Sequence, residues 1–361
     1  MASAVARPRL RWSQLRLSTK LCYLALLLLL SVAGLELISR VYWCAFQGAR
    51  GTGHEALWRT FYPEVAESGI DRVAPLHGDD SFDVLLFGGS VVSTRLGKTG
   101  DYLQSALEAK LGRKVRVVNS AFPGRTTRDT RIKYEHFADK RWDLVLVYHG
   151  INDVFLNNCP PGTFRPDYGH AYRRFGMQYD LEKHPETAYF VLPYTVSHLG
   201  KSLMERWHMT NAPRAEFEIY GNDVRTPPCF EDNLEAVARA AEERGDPLVL
   251  NTFAYYLAPN YSDEAFRDKK LDYAFGPHYL CAAKMWGEPA NLGRTIDLHN
   301  DVVRRVAGRH GLQVIDQRAD MPDGKRYYND PCHFTDEGCR RWVDNVLNGL
   351  DLSKIRRGDG R

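Results

Sequence analysis

The segment Asp83–Ser90, Asp-Val-Leu-Leu-Phe-Gly-Gly-Ser, constrains the fold of this chain more than any other stretch. Val84 to Phe87 form a short, uninterrupted apolar run, the pattern of a strand covered on both faces. Such strands belong to parallel sheets. Gly88 and Gly89 then let the backbone turn sharply and come close to a ligand. Ser90 is thereby delivered to the carboxyl end of a strand, where open α/β sheets place their sites. Taken alone, the same turn equally fits a serine that only caps the next helix.

The rest of the chain repeats the theme. Strands are expected at 83–88, 115–119, 143–148, 248–252 and 312–316, alternating with helices at 101–111, 130–140, 233–244, 292–309 and 336–347. Five strands separated by helices of about a dozen residues predict one α/β domain with a parallel, doubly wound sheet. Its rhythm is broken at about 154–230 by a stretch rich in Pro, Tyr and His, and again up to about Pro289. A long insertion of this kind covers or shapes a site. There is no internal repeat, no Gly-x-Gly-x-x-Gly and no Walker loop, so nucleotide binding finds no support.

Ahead of the domain, Leu21–Ser39 is apolar apart from Glu36 and small polar residues, long enough for a membrane helix. Arg7, Arg9, Arg11, Arg16 and Lys20 precede it and no acid does, so the positive-inside rule keeps 1–20 cytoplasmic and sends the remainder across. Ser31-Val-Ala33 also fits a signal-peptidase site, the competing reading. Apolar character resumes after Glu36 and continues through Val41-Tyr-Trp43, which favours a retained anchor over 21–43. Residues 44–82 read as a connector packing loosely on the domain, 83–350 as the domain, and 351–361 as a basic tail. The net charge is +3; with both basic ends set aside the body is acidic and has no basic stripe, which argues against nucleic acid as a partner. Six of the seven cysteines follow the apolar segment and are available for pairing in an oxidising compartment, but spacing does not assign pairs. No Cys-x-x-Cys or His-x-x-x-His cluster points to zinc.

Four stretches lie just past a strand or in the last loop: Phe87-Gly-Gly-Ser90, Asn119-Ser-Ala-Phe-Pro-Gly124, Tyr148-His-Gly-Ile-Asn-Asp153 and Asp330-Pro-Cys-His333. Their order and spacing resemble the SGNH, or GDSL-type, hydrolase family over about residues 83–348. Gly89 stands where the family's Gly-Asp-Ser carries aspartate, a version similar to many membrane-anchored bacterial members. The resemblance implies a flavodoxin-like SGNH hydrolase fold, a five-stranded parallel sheet with helices on both faces. It also implies Ser90, Gly124, Asn152 and His333 as the four named residues.

Residue chemistry runs alongside this. A serine hydroxyl is a poor nucleophile without a base, and His333 is the candidate base, with Asp330 to orient it. The oxyanion needs preorganised donors, for which the backbone amides of Ser90 and Gly124 and the side-chain amide of Asn152 are candidates. No metal or organic cofactor is called for. Each residue also has a duller role: a turn at Asp330-Pro331, a histidine before a helix capped by Thr335, a turn glycine at 124, backbone capping by Asn152 and Asp153. His149 reads as structural or pocket-lining, and Tyr168, Tyr172 and Phe175 as packing. The expected activity is hydrolysis of a small-molecule, lipid or glycan carboxylic ester through an acyl-serine intermediate outside the cytoplasm. An O-acyltransferase acting on envelope glycan, or a non-catalytic envelope binding or assembly protein, are the alternatives.

Overall fold

The computed structural model describes residues 13, 15–46, 54–70, 73, 81–159, 162–171, 178, 181–183, 190–206, 223–277 and 280–355. The first twelve residues, Tyr172, Phe175 and the tail after Ile355 lie outside the described residues. The chain divides into two compact units, one made of 1–61 with 177–210 and the other of 62–176 with 211–361.

The larger unit is built on five parallel strands: β1 (Phe82–Gly88), β2 (Val115–Asn119), β3 (Leu144–Tyr148), β4 (Leu248–Asn251) and β5 (Gln313–Ile315). Their order across the sheet is β2-β1-β3-β4-β5. That is the flavodoxin-like order, with its topological switch between β1 and β3. Each residue of β1, β3 and β4 is buried, as the continuous apolar runs require. Phe82, Val84 and Leu86 enter the main core with Leu103, Leu107 and Trp342, while Phe87 meets Tyr134 and Phe137 on the other face. Burial of each such side chain contributes about 1.5–3 kcal/mol.

Helices Thr99–Leu111 and Asp336–Gly349 pack together on the first face, and Thr127–His136, Thr226–Arg244 and Pro289–His310 on the second. Several helix boundaries depart from expectation, two of the starts for identifiable local reasons. The second helix begins at Thr127, not 130, because Thr126 and Asp129 form a capping box, the Asp129 carboxylate accepting the Thr126 N–H at 2.8 Å. The helix expected from 233 begins at Thr226, because Pro227 and Pro228 occupy its first turn, where the missing N–H groups have no intrahelical partner anyway. The irregular insertion is correspondingly shorter. The segment before the sheet also packs more tightly than its composition indicates: Tyr62, Glu64 and Val65 around the short helix Pro63–Glu67 are buried.

In the smaller unit, Leu17–Phe46 is one continuous 30-residue helix, the one helix among the described residues long and apolar enough to cross a membrane. Its leucines from Leu21 to Leu37 are largely exposed. The helices His54–Phe61 and Leu192–Arg206 belong to the same unit. Cys159, Cys229, Cys281, Cys332 and Cys339 are buried free thiols.

Candidate active site

β1 ends at Gly88, paired in register with Tyr148 at the end of β3. Ser90 opens a short 3-10 turn two residues beyond the first strand, and Asn152 lies in the turn of helix Ile151–Val154 just beyond the second. Both therefore emerge at the β1/β3 switch point. Ser90 Oγ lies 2.8 Å from His333 Nε2, and His333 Nδ1 lies 2.6 Å from Asp330 Oδ2. Three residues drawn from the two ends of the domain thus form one continuous hydrogen-bonded line.

Asp330 is held by more than the imidazole. Its Oδ1 accepts the backbone N–H of Cys332 at 2.9 Å and of His333 at 2.8 Å, and its Oδ2 also accepts the Cys281 N–H at 2.9 Å. The turn expected at Asp330-Pro331 is therefore present, and the same carboxylate serves both the turn and the imidazole. Asp330 is 0% exposed, whereas Ser90, Asn152 and His333 retain 7, 8 and 7%. All four residues are thus buried, the carboxylate most deeply. Thr335 caps the following helix through the Gly338 N–H at 3.0 Å, so the capping role and the histidine's position coexist.

Gly124 sits in the β2 loop with φ 81°, a left-handed conformation that favours glycine. Phe122 N–H donates to Gly88 O at 3.2 Å, tying this loop to the end of β1. Asn152 Nδ2 donates to Arg125 O at 2.9 Å, tying it to the end of β3. A β-carbon placed on Gly89 would lie 2.4 Å from Asn152 Nδ2. A side chain there would have to displace the amide, so glycine at 89 leaves Asn152 its place beside the turn.

Sequence reasoning missed the ion network under this loop. Glu64 accepts from Arg125 Nε at 2.7 Å, Arg125 Nη2 at 3.0 Å and Lys133 Nζ at 3.0 Å, all buried. Lys133 Nζ also donates to Ser120 O at 2.5 Å. Burial raises the Glu64 carboxyl, but the Lys133 and Arg125 charges outweigh it and hold the group below the usual carboxylate range. For Lys133 burial dominates and the ammonium is lowered. No local pattern in the proline- and aromatic-rich segment marks Glu64 as a partner.

The neighbouring motif residues are structural. Asp153 accepts from Thr127 N and Oγ1 and, at 3.0 Å, from the Tyr168 hydroxyl. His149 Nε2 lies 2.7 Å from Thr130 Oγ1. His299 is stacked on Phe230, centroids 4.3 Å apart. Burial lowers both imidazoles to about 3, and burial raises Asp153 to about 7. An imidazole whose pKa is lower folded than unfolded binds its proton preferentially in the unfolded chain, so its contribution is lost as pH falls from about 6.5 toward about 3. Asp153 acts oppositely, favouring the fold as pH falls through about 7. The imidazoles lowered by burial (His149, His299 and His170) outnumber the carboxyls raised by it (Asp153 and Asp246), so melting temperature is expected to drop between pH 6.5 and 4.5. His149→Gln, which keeps a polar partner for Thr130 but does not titrate, should make that drop shallower. An unchanged slope in thermal melts across this range would refute the assignment.

Residues 86–341 match the GDSL-like lipase/acylhydrolase family. No curated protein matches the sequence. Similar solved structures include LAE5, an alpha/beta hydrolase enzyme from the metagenome of Lake Arreo (16% identity, covering 76% of this chain and 97% of that one, TM-score 0.42). An acetylxylan esterase from Geobacillus stearothermophilus is similar at 15% identity, covering 77% and 97%, with TM-score 0.43. So is a GDSL-like lipase from Parabacteroides merdae at 11%, covering 76% and 96%, with TM-score 0.43. The family match takes in the strand–Gly-Gly-Ser turn, the β2 and β3 loops and the Asp-x-x-His loop together, and on it the chain belongs to the GDSL-like lipase/acylhydrolase family and is a serine esterase.

Proposed function

We propose that Ser90 is the nucleophile, His333 the general base and Asp330 its orienting carboxylate in hydrolysis of a carboxylic ester. The observation that carries this reading is the unbroken line Asp330 Oδ2, His333 Nδ1, His333 Nε2, Ser90 Oγ at 2.6 and 2.8 Å. Ser90 Oγ attacks the ester carbonyl as its proton passes to His333 Nε2. Asp330 keeps the Nδ1 proton facing itself, so that Nε2 is free to accept, and stabilises the imidazolium that forms. The oxyanion is received by the backbone amides of Ser90 and Gly124 and by Asn152 Nδ2. The imidazolium returns its proton to the departing alcohol, leaving an acyl-serine. Water, deprotonated by the same imidazole, then releases the acid. In this reading a hydrolase domain over about 83–350 is held outside the cytoplasm by the helix Leu17–Phe46, with the basic start of the chain on the cytoplasmic side.

The test is a fluorophosphonate probe on the full chain, with the adduct mapped by peptide mass and hydrolysis followed over esters of graded acyl length. The adduct is expected on the peptide carrying Ser90, and probe treatment should abolish ester turnover. An adduct on a different serine would sink the assignment.

Asn152→Ala separates the amide's two roles. Loss of an oxyanion donor should lower kcat by roughly 10²- to 10³-fold with KM nearly unchanged, because that donor acts on charge present only in the transition state. Loss of the bond to Arg125 O alone would lower melting temperature and activity in proportion. Steady-state kinetics beside thermal melts decide between them, and Asn152→Asp, which sets a carboxylate against the developing charge, should be worse than alanine.

A further inference from the structure

Glu36 is the one acidic residue inside the apolar stretch of helix Leu17–Phe46, and a lone carboxylate at that depth in a membrane is expensive. In the structure it is not alone. Its two oxygens accept the backbone N–H groups of Val191 at 2.9 and 3.0 Å and of Leu192 at 2.9 Å, the opening donors of helix Leu192–Arg206, and Arg40 Nε donates to it at 2.9 Å. A carboxylate at a helix N-terminus satisfies orphan donors and faces the positive end of the helix dipole.

The two helices run side by side in the same direction. Further along, Trp43 Nε1 donates to Thr195 Oγ1 at 2.8 Å, and the His198 ring lies 5.3 Å from Trp43 and 6.0 Å from Tyr42. Tyr23 at one end and Tyr42-Trp43 at the other are separated by about 30 Å of helix, the thickness of a bilayer's hydrocarbon, and aromatic residues favour its two boundaries. Glu36 then lies about 10 Å below the outer boundary. The start of the second helix is drawn down to that depth.

That helix has two faces. Tyr194, Thr195 and His198 lie on one, the latter two in contact with Trp43. Val196, Leu199 and Leu203 form a stripe on another at a spacing of three and four residues, and they are 62, 49 and 50% exposed, with Phe190 just before the helix at 63%. Resting on the reading of Leu17–Phe46 as a membrane span, we propose that Phe190–Leu203 is a second membrane element. It starts inside the outer leaflet, pinned to the span through Glu36, and runs outward alongside it, so that Phe190 and Val196 lie against lipid acyl chains and Leu199 meets them at the headgroup boundary.

The experiment uses the full chain reconstituted in dioleoylphosphatidylcholine vesicles, with p-benzoylphenylalanine introduced at Leu199, at Leu28 within the span, or at Ser197 off the stripe. After irradiation, lipid adducts are expected at Leu28 and Leu199 and far fewer at Ser197. Adducts at Leu28 with none at Leu199, or crosslinks from Leu199 to protein instead, would overturn this proposal and leave the span standing. No adduct at Leu28 would remove the span itself, and the proposal with it. Glu36→Leu should reduce the Leu199 adduct about tenfold, the equilibrium factor of a lost helix cap, while leaving Leu28 labelling intact. Unchanged labelling at Leu199 in Glu36→Leu would overturn the role of Glu36 as the pin.

Discussion

Ser90→Ala is expected to lower kcat for ester hydrolysis by roughly 10⁶-fold, the loss found when the nucleophile of a serine hydrolase is removed. In the proposed mechanism the hydroxyl is the atom that forms the acyl bond, so no neighbour would compensate for it. Oxyanion donors and substrate binding leave a residue of about 10³-fold over water, which sets the floor of the measurement. The fold should be untouched. Ser90 is small, keeps 7% exposure at the mouth of the site and uses its hydroxyl toward His333 Nε2, which water can satisfy in the variant. Kinetics on a short-chain ester, a fluorophosphonate labelling lane and a thermal melt together make the check. Activity within tenfold of the parent, with the melt unchanged, would remove Ser90 from the chemistry.

Asp330→Asn should rank next, at about 10⁴-fold in kcat. The reason lies in which way an asparagine would settle. The native carboxylate takes four donors, Cys332 N–H and His333 N–H on Oδ1, Cys281 N–H and His333 Nδ1 on Oδ2. An amide supplies one oxygen. Turning its NH₂ toward the Oδ1 side would oppose two backbone donors, so the lesser loss puts it on the Oδ2 side. There it donates to His333 Nδ1 and forces the imidazole proton onto Nε2, the tautomer that cannot accept from Ser90. The Cys281 N–H is also left without an acceptor, at about 1–3 kcal/mol of stability. The expected signature is therefore a moderate fall in melting temperature with a far larger fall in kcat. Asp330→Ala, which strands all four donors, should lose more stability than asparagine does. A variant that loses stability but keeps kcat would mean that Asp330 only holds its turn.

Much of the domain was legible before any coordinates. Val84–Phe87, Val115–Asn119 and Leu144–Tyr148 were readable because a strand buried on both faces writes itself as a local apolar run; Ser90, Gly124 and Asn152 were singled out just past such strands and His333 in the loop before the last helix, by the motif order of the family. Local reading failed at helix starts such as Thr226, where prolines that favour the first turn resemble a loop.

What only the tertiary structure decided are pairings between residues far apart in the chain. Ser90 and His333 are 243 positions apart, and no periodicity states their 2.8 Å separation. Glu64 meets Arg125 and Lys133, and Glu36 meets the start of helix Leu192–Arg206, across 61, 69 and 155 positions. The closeness of Asn152 Nδ2 to Gly89 depends on β1 and β3 lying side by side. Short-range patterns record hydrophobic burial because it recurs with the period of the element. A buried charge records nothing of its partner, since the energy that makes the pair worthwhile exists only once both have left water.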